Sequence, residues 1–199
     1  PLCGPMPCAV PHVDHARADA ASGEQLPCAE GSGAGQIPDG GTCTPACLAG
    51  YEASEERLSC AEGSLTPSTF RCEKPAQEPN SVFCSSAGTV TAVLEWSPGE
   101  ANDCEFEEYV LESKIEGSGN SSWQTVSGCP GLTDVGTTGC AVEGLREGAA
   151  YLFRLRLRCT QGRLDSGWTA SPGVQLRRVE PPRALLQLPN GSVTANPRQ

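Results

Sequence analysis

The stretch YLFRLRLRC, from Tyr151 to Cys159, alternates Tyr151, Phe153, Leu155 and Leu157 with Leu152, Arg154, Arg156 and Arg158. A period of two sends successive side chains to opposite faces of an extended strand, so one face is apolar and the other carries a row of arginines. The same alternation occurs upstream in TVTAVLEW (89–96), with Val90, Ala92, Leu94 and Trp96 on one side and Thr89, Thr91, Val93 and Glu95 on the other. Both read as half-buried strands. Further strands are predicted at 107–115, 122–126, 139–143 and 168–177, separated by loops containing Gly, Pro, Asn or Ser. Several short strands over about 100 residues argue for an antiparallel sandwich.

Upstream the texture changes. Residues 1–78 lack long periodic stretches, are rich in Gly, Pro, Ala and Ser, and hold seven of the 12 cysteines. The segment EKPAQEPNS (73–81) mixes proline with charge and reads as a linker. At the other end, VEPPRALLQLPNGSVTANPRQ (179–199) carries four prolines and no cysteine. It is either a tail or the first strand of a following module.

The chain has 199 residues, 14 Lys or Arg against 24 Asp or Glu, 2 His, and a net charge of -10. Two small domains fit this length and composition better than one. The acidic balance argues against nucleic acid, heparin-like polyanions and anionic membrane surfaces, because these require clustered Lys and Arg to displace counterions. No apolar run approaches the ~20 residues that span a bilayer, so no membrane insertion is expected within this segment. A chain starting at Pro1 with no basic-then-apolar leader is expected to be a fragment of a longer protein.

Cysteine usage points to an oxidising compartment. A reducing cytosol rarely leaves this many thiols without zinc, whereas secreted modules with small cores use them as cross-links. An extracellular location, secreted or on the cell surface, is the expectation. Zinc favours close pairs such as C-x2-C, and none occurs. The nearest set, Cys8, His12, His15 and Cys28, is irregularly spaced, and two solvated loop histidines are the simpler account. In CTPACLAGYEASEERLSC (43–60), a reactive thiol would need a thiolate-stabilising neighbour, but Cys43, Cys47 and Cys60 sit among Thr, Pro, Ala, Leu and acidic residues. With few large apolar side chains between Cys8 and Cys72, cross-links substitute for a core. Six cysteines allow fifteen connectivities, and spacing alone selects none.

Cys8-Ala-Val-Pro, Cys47-Leu-Ala-Gly50-Tyr51, Cys60 and Cys72 resemble a sushi (complement control protein) repeat. The resemblance implies Cys8–Cys60 and Cys47–Cys72. The extra pair Cys28 and Cys43, with Gly41-Thr42-Cys43 four residues before Cys47, is similar to the six-cysteine sushi repeats of selectins and implies Cys28–Cys43. Where such repeats usually carry a Trp between the third and fourth cysteines, this chain offers Leu65 and Phe70.

Residues 80–178 resemble a fibronectin type III domain, through Trp96 on the second strand, Tyr109 on the third, Leu145 and Tyr151 of the tyrosine corner, and inward Phe153, Leu155 and Leu157 on the sixth. In that topology the loop after the second strand and the end of the sixth share a pole, which implies Cys104–Cys159. Cys129 and Cys140 flank PGLTDVGTTG, a loop short enough to clip, and are expected to pair. Cys3 is assigned to close a preceding module, and Cys84 has no assigned partner.

The expected organisation is all-β: 1–7 a remnant of a preceding module, 8–73 a sushi-like disulfide-rich module, 74–79 a linker, 80–178 a seven-stranded antiparallel fibronectin type III-like sandwich, and 179–199 a tail or the start of a following module. With both histidines in the first module, a Ser-His-Asp or Cys-His site in the second is excluded. No phosphate-cradling loop, EF-hand or zincin motif occurs. No enzyme activity, metal or cofactor is expected. The leading reading is a recognition or adhesion fragment binding a protein or glycan. The alternatives are accessory modules that position the catalytic domain of a larger secreted enzyme, or a cysteine-rich protease inhibitor. Arg163, Leu164 and Asp165 in the loop 160–167 form the candidate partner contact, against the simpler account of a solvated turn. Arg154, Arg156 and Arg158 are read as facing Glu108 and Glu112 across the sheet. Asn120 and Asn190 open N-glycosylation sequons.

Overall fold

A computed structural model of the chain describes residues 4–30, 35–117, 122–126 and 128–179. Cys3, Asn120, Asn190 and the segment 180–199 lie outside the described residues.

Seven short strands occupy the first part: β1 (Cys8–Ala9), β2 (Gln36–Ile37), β3 (Thr42–Cys43), β4 (Glu52–Ala53), β5 (Leu58–Ala61), β6 (Ser64–Thr66) and β7 (Cys72–Glu73). They form three small antiparallel sheets, β1-β2, β3-β5-β6 and β4-β7. Two-residue ladders contribute few hydrogen bonds, so the cross-links carry the assembly. Bridges join Cys8 to Cys60, Cys28 to Cys43 and Cys47 to Cys72, with Cα–Cα distances of 5.8, 5.0 and 5.6 Å. Of the buried cluster Cys8, Val13, Ala16, Cys28, Ile37, Cys43, Leu58, Cys60, Phe70 and Cys72, half is sulfur. Phe70 is 3% exposed, and Leu65 packs against the same cluster.

The second part is a fibronectin type III-like sandwich built from β8 (Asn80–Ala87), β9 (Ala92–Ser97), β10 (Phe106–Ile115), β11 (Gln124–Thr125), β12 (Gly139–Val142), β13 (Ala150–Cys159), β14 (Thr169–Ala170) and β15 (Val174–Gln175). One sheet has the order β12-β9-β8, the other β11-β10-β13-β14, with β15 also on β13. The last two are one strand interrupted at Ser171-Pro172-Gly173, since Pro172 has no N–H to give to the β13 ladder. Counted so, the sandwich has seven strands. Its interior is filled by alternate residues of the facing sheets: Leu94 and Trp96 from β9, Tyr109 and Leu111 from β10, and Phe153, Leu155 and Leu157 from β13. Trp96 and Phe106 both meet the Tyr109 ring edge-on, at centroid distances of 5.6 and 5.1 Å. Tyr151 closes the corner, its hydroxyl oxygen accepting the Arg146 N–H at 2.9 Å.

One inward position of the sequence reading is corrected. Val90 is 45% exposed, and β9 begins at Ala92. A turn closed by the Gly88 N–H on the Thr91 carbonyl (2.8 Å) rotates the backbone before the alternation starts.

Candidate recognition surfaces

Short edge strands and a polar pole need explicit anchoring, and two side-chain systems supply it. The first lies on the outer face of β10 and β13. Their register sets Glu112 opposite Arg154 and Glu108 opposite Arg158. Arg154 pairs with Glu112 (2.5 Å), Arg158 with Glu108 (2.5 Å) and Glu107 (3.2 Å), and Arg156 with Asp165 (3.2 Å). The hydrogen bonds that Arg158 donates to Glu107 hold its guanidinium above its ordinary pKa. Two tryptophans interleave with these cations. Trp123 lies under Lys114 (4.6 Å) and Arg154 (4.4 Å), and Trp168 under Arg154 (4.1 Å) and Arg156 (4.8 Å). Trp123 directly precedes β11 and Trp168 directly precedes β14, so the stack ties both two-residue edge strands to the β10–β13 pair. Neither tryptophan stands out in the sequence except as an aromatic residue beside a short polar strand.

The second system is the pole where the two parts meet. The stretch 74–79 sits in a socket whose walls are the loop 99–104 and the turn 161–165. Lys74 N–H donates to Asp103 Oδ2 (2.7 Å), Asn102 Nδ2 to the Pro75 carbonyl (2.8 Å), Ala76 N–H to the Leu164 carbonyl (3.0 Å), and Gln77 N–H to the Glu100 carbonyl (2.8 Å). Gly99 is required by close approach: a Cβ there would run into the Gln77 carbonyl. Arg163 meets the Glu73 carboxylate, which also accepts from Arg71 Nε at 2.9 Å.

The candidate partner loop forms the second wall. Leu164 is 1% exposed within the sandwich core, Arg163 is engaged by Glu73, and Asp165 accepts from the Cys159 N–H (2.9 Å) while pairing with Arg156. A freely solvated turn would not bury Leu164, so that simpler account is corrected. All three side chains are committed within the chain.

A cleft of about 420 Å³ opens beside the socket, lined by His12, Asp14, His15, Arg71 and Glu73 from the first part and Asp103 from the second. His15 stacks on Tyr51 at 4.4 Å, and Tyr51 packs against the cysteine-rich core of the first part. Cys8 and Cys28 are consumed by bridges, which removes both sulfurs from the irregular zinc set. Among the described residues no cluster of three or more His, Cys, Asp or Glu is placed to hold a metal, and no helix is long and apolar enough to cross a membrane.

The sandwich has two further bridges. Cys104–Cys159 spans 5.5 Å between Cα atoms and Cys129–Cys140 spans 5.6 Å. The clipped loop 130–139 is seated by Tyr109, whose hydroxyl donates to the Val135 carbonyl at 2.9 Å and whose phenol pKa burial raises. Cys84 is a free thiol among the described residues and donates to the Ser86 carbonyl at 3.1 Å.

No family model matches the chain. It is similar to human Roundabout homolog 2, at 27% identity over 152 residues, covering 74% of this chain and 10% of that protein. Among solved structures it is similar to the FN1–FN3 domains of chicken CNTN1, with 19% identity, 52% of this chain and 33% of that chain covered, and a TM-score of 0.46. A titin module from human cardiac muscle gives 22% identity, 51% and 92% coverage, and a TM-score of 0.42. The chain thus spans a tenth of the length of the curated relative.

Proposed function

We propose that the chain is a non-catalytic recognition and adhesion segment of a larger extracellular protein, binding a protein or glycan partner. In this reading 8–73 is a sushi-type module, 74–79 a docked linker and 80–178 a fibronectin type III module. The flanks, 1–7 and 179–199, belong to neighbouring modules or a tail. The observation that carries the reading is the distribution of five disulfides over two all-β units. Such cross-links persist in oxidising compartments. The first unit's cysteine pairs are those the sushi resemblance implies, and Phe70 is buried in its core where that family usually has Trp. The similarity to Roundabout homolog 2 supports a modular, non-catalytic role.

The test is a screen of the purified, oxidised chain against arrays of extracellular protein domains and glycans, after non-reducing peptide mapping has established the bridges. The expected result is saturable binding to a defined partner class that is lost when the bridges are reduced. Free thiols at Cys8, Cys47, Cys60 or Cys72 would refute the module assignment, and hydrolytic turnover by this segment alone would refute the non-catalytic reading.

A further inference from the structure

We propose that the Cys104–Cys159 bridge is the brace of an inter-module joint, and that it makes the two modules one rigid body. The two walls of the socket come from distant parts of the sequence: the loop 99–104 follows β9, and the turn 161–165 follows β13. Besides the main chain, this bridge ties them covalently, joining the last residue of one wall to the end of β13, just before the other. Both cysteines are buried, at 8% and 2% exposure.

The linker draws on both walls at once. Lys74, Pro75 and Gln77 bond to the first, Ala76 bonds to the second, and Glu73 reaches over to Arg163. Spreading the walls would break one set or the other. The joint also has no slack. Cys72 is tied to Cys47, Glu73 ends β7, and Lys74 is already bonded to Asp103. A hinge needs a few residues free to absorb a change in φ and ψ. Glu73 to Gln77 are each bonded to a wall or to Arg163, Glu78 makes no such bond but is restricted by the proline that follows it, and Pro75 and Pro79 fix φ at two of the positions.

The sandwich core has support independent of the brace. β13 is paired along its whole length with β10, from Phe106–Cys159 to Ile115–Tyr151. Leu94, Trp96, Phe153 and Leu155 fill the interior beneath the pole. The bridge therefore governs the seat of the linker before it governs the fold of the sandwich, and the surfaces of the two modules are presented at one fixed angle.

The test uses the full chain, with residual dipolar couplings and amide hydrogen exchange by nuclear magnetic resonance. In the wild type, one alignment tensor fits both modules. In Cys104→Ser/Cys159→Ser, the sandwich keeps its dispersed spectrum while the two modules require separate tensors. Asp103→Ala, which leaves every bridge intact, is expected to speed exchange of the Lys74 amide about tenfold, the loss of one hydrogen bond at a carboxylate. Separate tensors in the wild type, a single wild-type tensor in the double serine variant, or a sandwich that unfolds without the bridge would each overturn the proposal, as would unchanged Lys74 exchange in Asp103→Ala.

Discussion

Arg154 is the centre of the stack that crosses the outer sheet, and Arg154→Met isolates its contribution. Methionine keeps an unbranched apolar stem over the strand but removes the planar cation. The guanidinium lies 4.4 Å from the Trp123 ring and 4.1 Å from the Trp168 ring, and its pair with Glu112 is 26% and 17% exposed at the two side chains. Each cation–π contact at a partly exposed site is worth about 0.5–1 kcal/mol, and an ion pair screened to this degree about 1 kcal/mol. The sum predicts a loss of about 2–3 kcal/mol. For a sandwich of this size that lowers Tm by roughly 10–15 °C. Urea unfolding followed by circular dichroism on Arg154→Met, Trp168→Ala and the double variant gives the coupling directly, expected at about 0.5–1 kcal/mol. Arg154→Lys restores charge without the flat stacking surface and should fall between wild type and Met. A loss under about 0.5 kcal/mol for Arg154→Met, the ordinary range of surface substitutions, or a coupling of zero, would show that the stack is geometry without energy.

Three other outcomes follow from single contacts. Tyr151→Phe removes the oxygen that accepts the Arg146 N–H, and the stranded donor should cost about 1–2 kcal/mol in the urea midpoint of the sandwich. Cys47→Ser/Cys72→Ser opens a loop of 25 residues. In the chain-entropy model this releases about 3–4 kcal/mol, so the first module should lose its dispersed amide signals while the sandwich keeps its own. Glu30 accepts from the Thr44 N–H and hydroxyl, chiefly the hydroxyl at 2.6 Å, and these bonds lower its pKa. A depressed carboxylate stabilises the fold above its unfolded pKa and loses that effect as pH falls through the folded value. The Thr44 amide shift should therefore move below about pH 4.5, and in Glu30→Gln that movement should vanish.

How much was legible follows from which forces are local. Period-two alternation identified β13 and β9 because burial of Phe153, Leu155, Leu94 and Trp96 is decided by the pleat of each strand alone. It failed at Val90, where a turn closed by backbone atoms outweighed the side-chain pattern. The break at Pro172 was visible in principle, since a proline inside a predicted strand interrupts its ladder. The tryptophan stack was not legible. Trp123 and Trp168 are 45 residues apart in sequence, and only the order β11-β10-β13-β14 sets them on either side of Arg154. Leu164 did carry a signal, an apolar residue inside a polar loop, but its carbonyl's bond to Ala76 depends on where the chain enters the sandwich.

The same physical deficit is met in three ways along the chain, and each leaves a different kind of surface. In the first module, ladders of two to four residues cannot bury enough apolar area, and sulfur takes the place of side chains in the core. At the sheet edges, β11 and β14 are two residues long, and stacked cations hold what backbone pairing cannot. At the pole, hydrogen bonds between the linker backbone and both side chains and backbone of the walls seat it directly. The second device has a consequence for recognition. Arg154, Arg156 and Arg158 are each neutralised by a carboxylate, and the two indoles are occupied by Lys114, Arg154 and Arg156. The row of arginines that the sequence set opposite Glu108 and Glu112 is electrostatically closed in the fold, with Glu107 and Asp165 joining the pairing. A partner of this face meets paired charge, and specificity for it must come from shape and from the fixed angle between modules. Neutralising Glu112 alone should then be enough to open the face: Glu112→Gln should gain affinity for a polyanion such as heparin, and unchanged heparin retention would show that the pairing does not govern what the face binds.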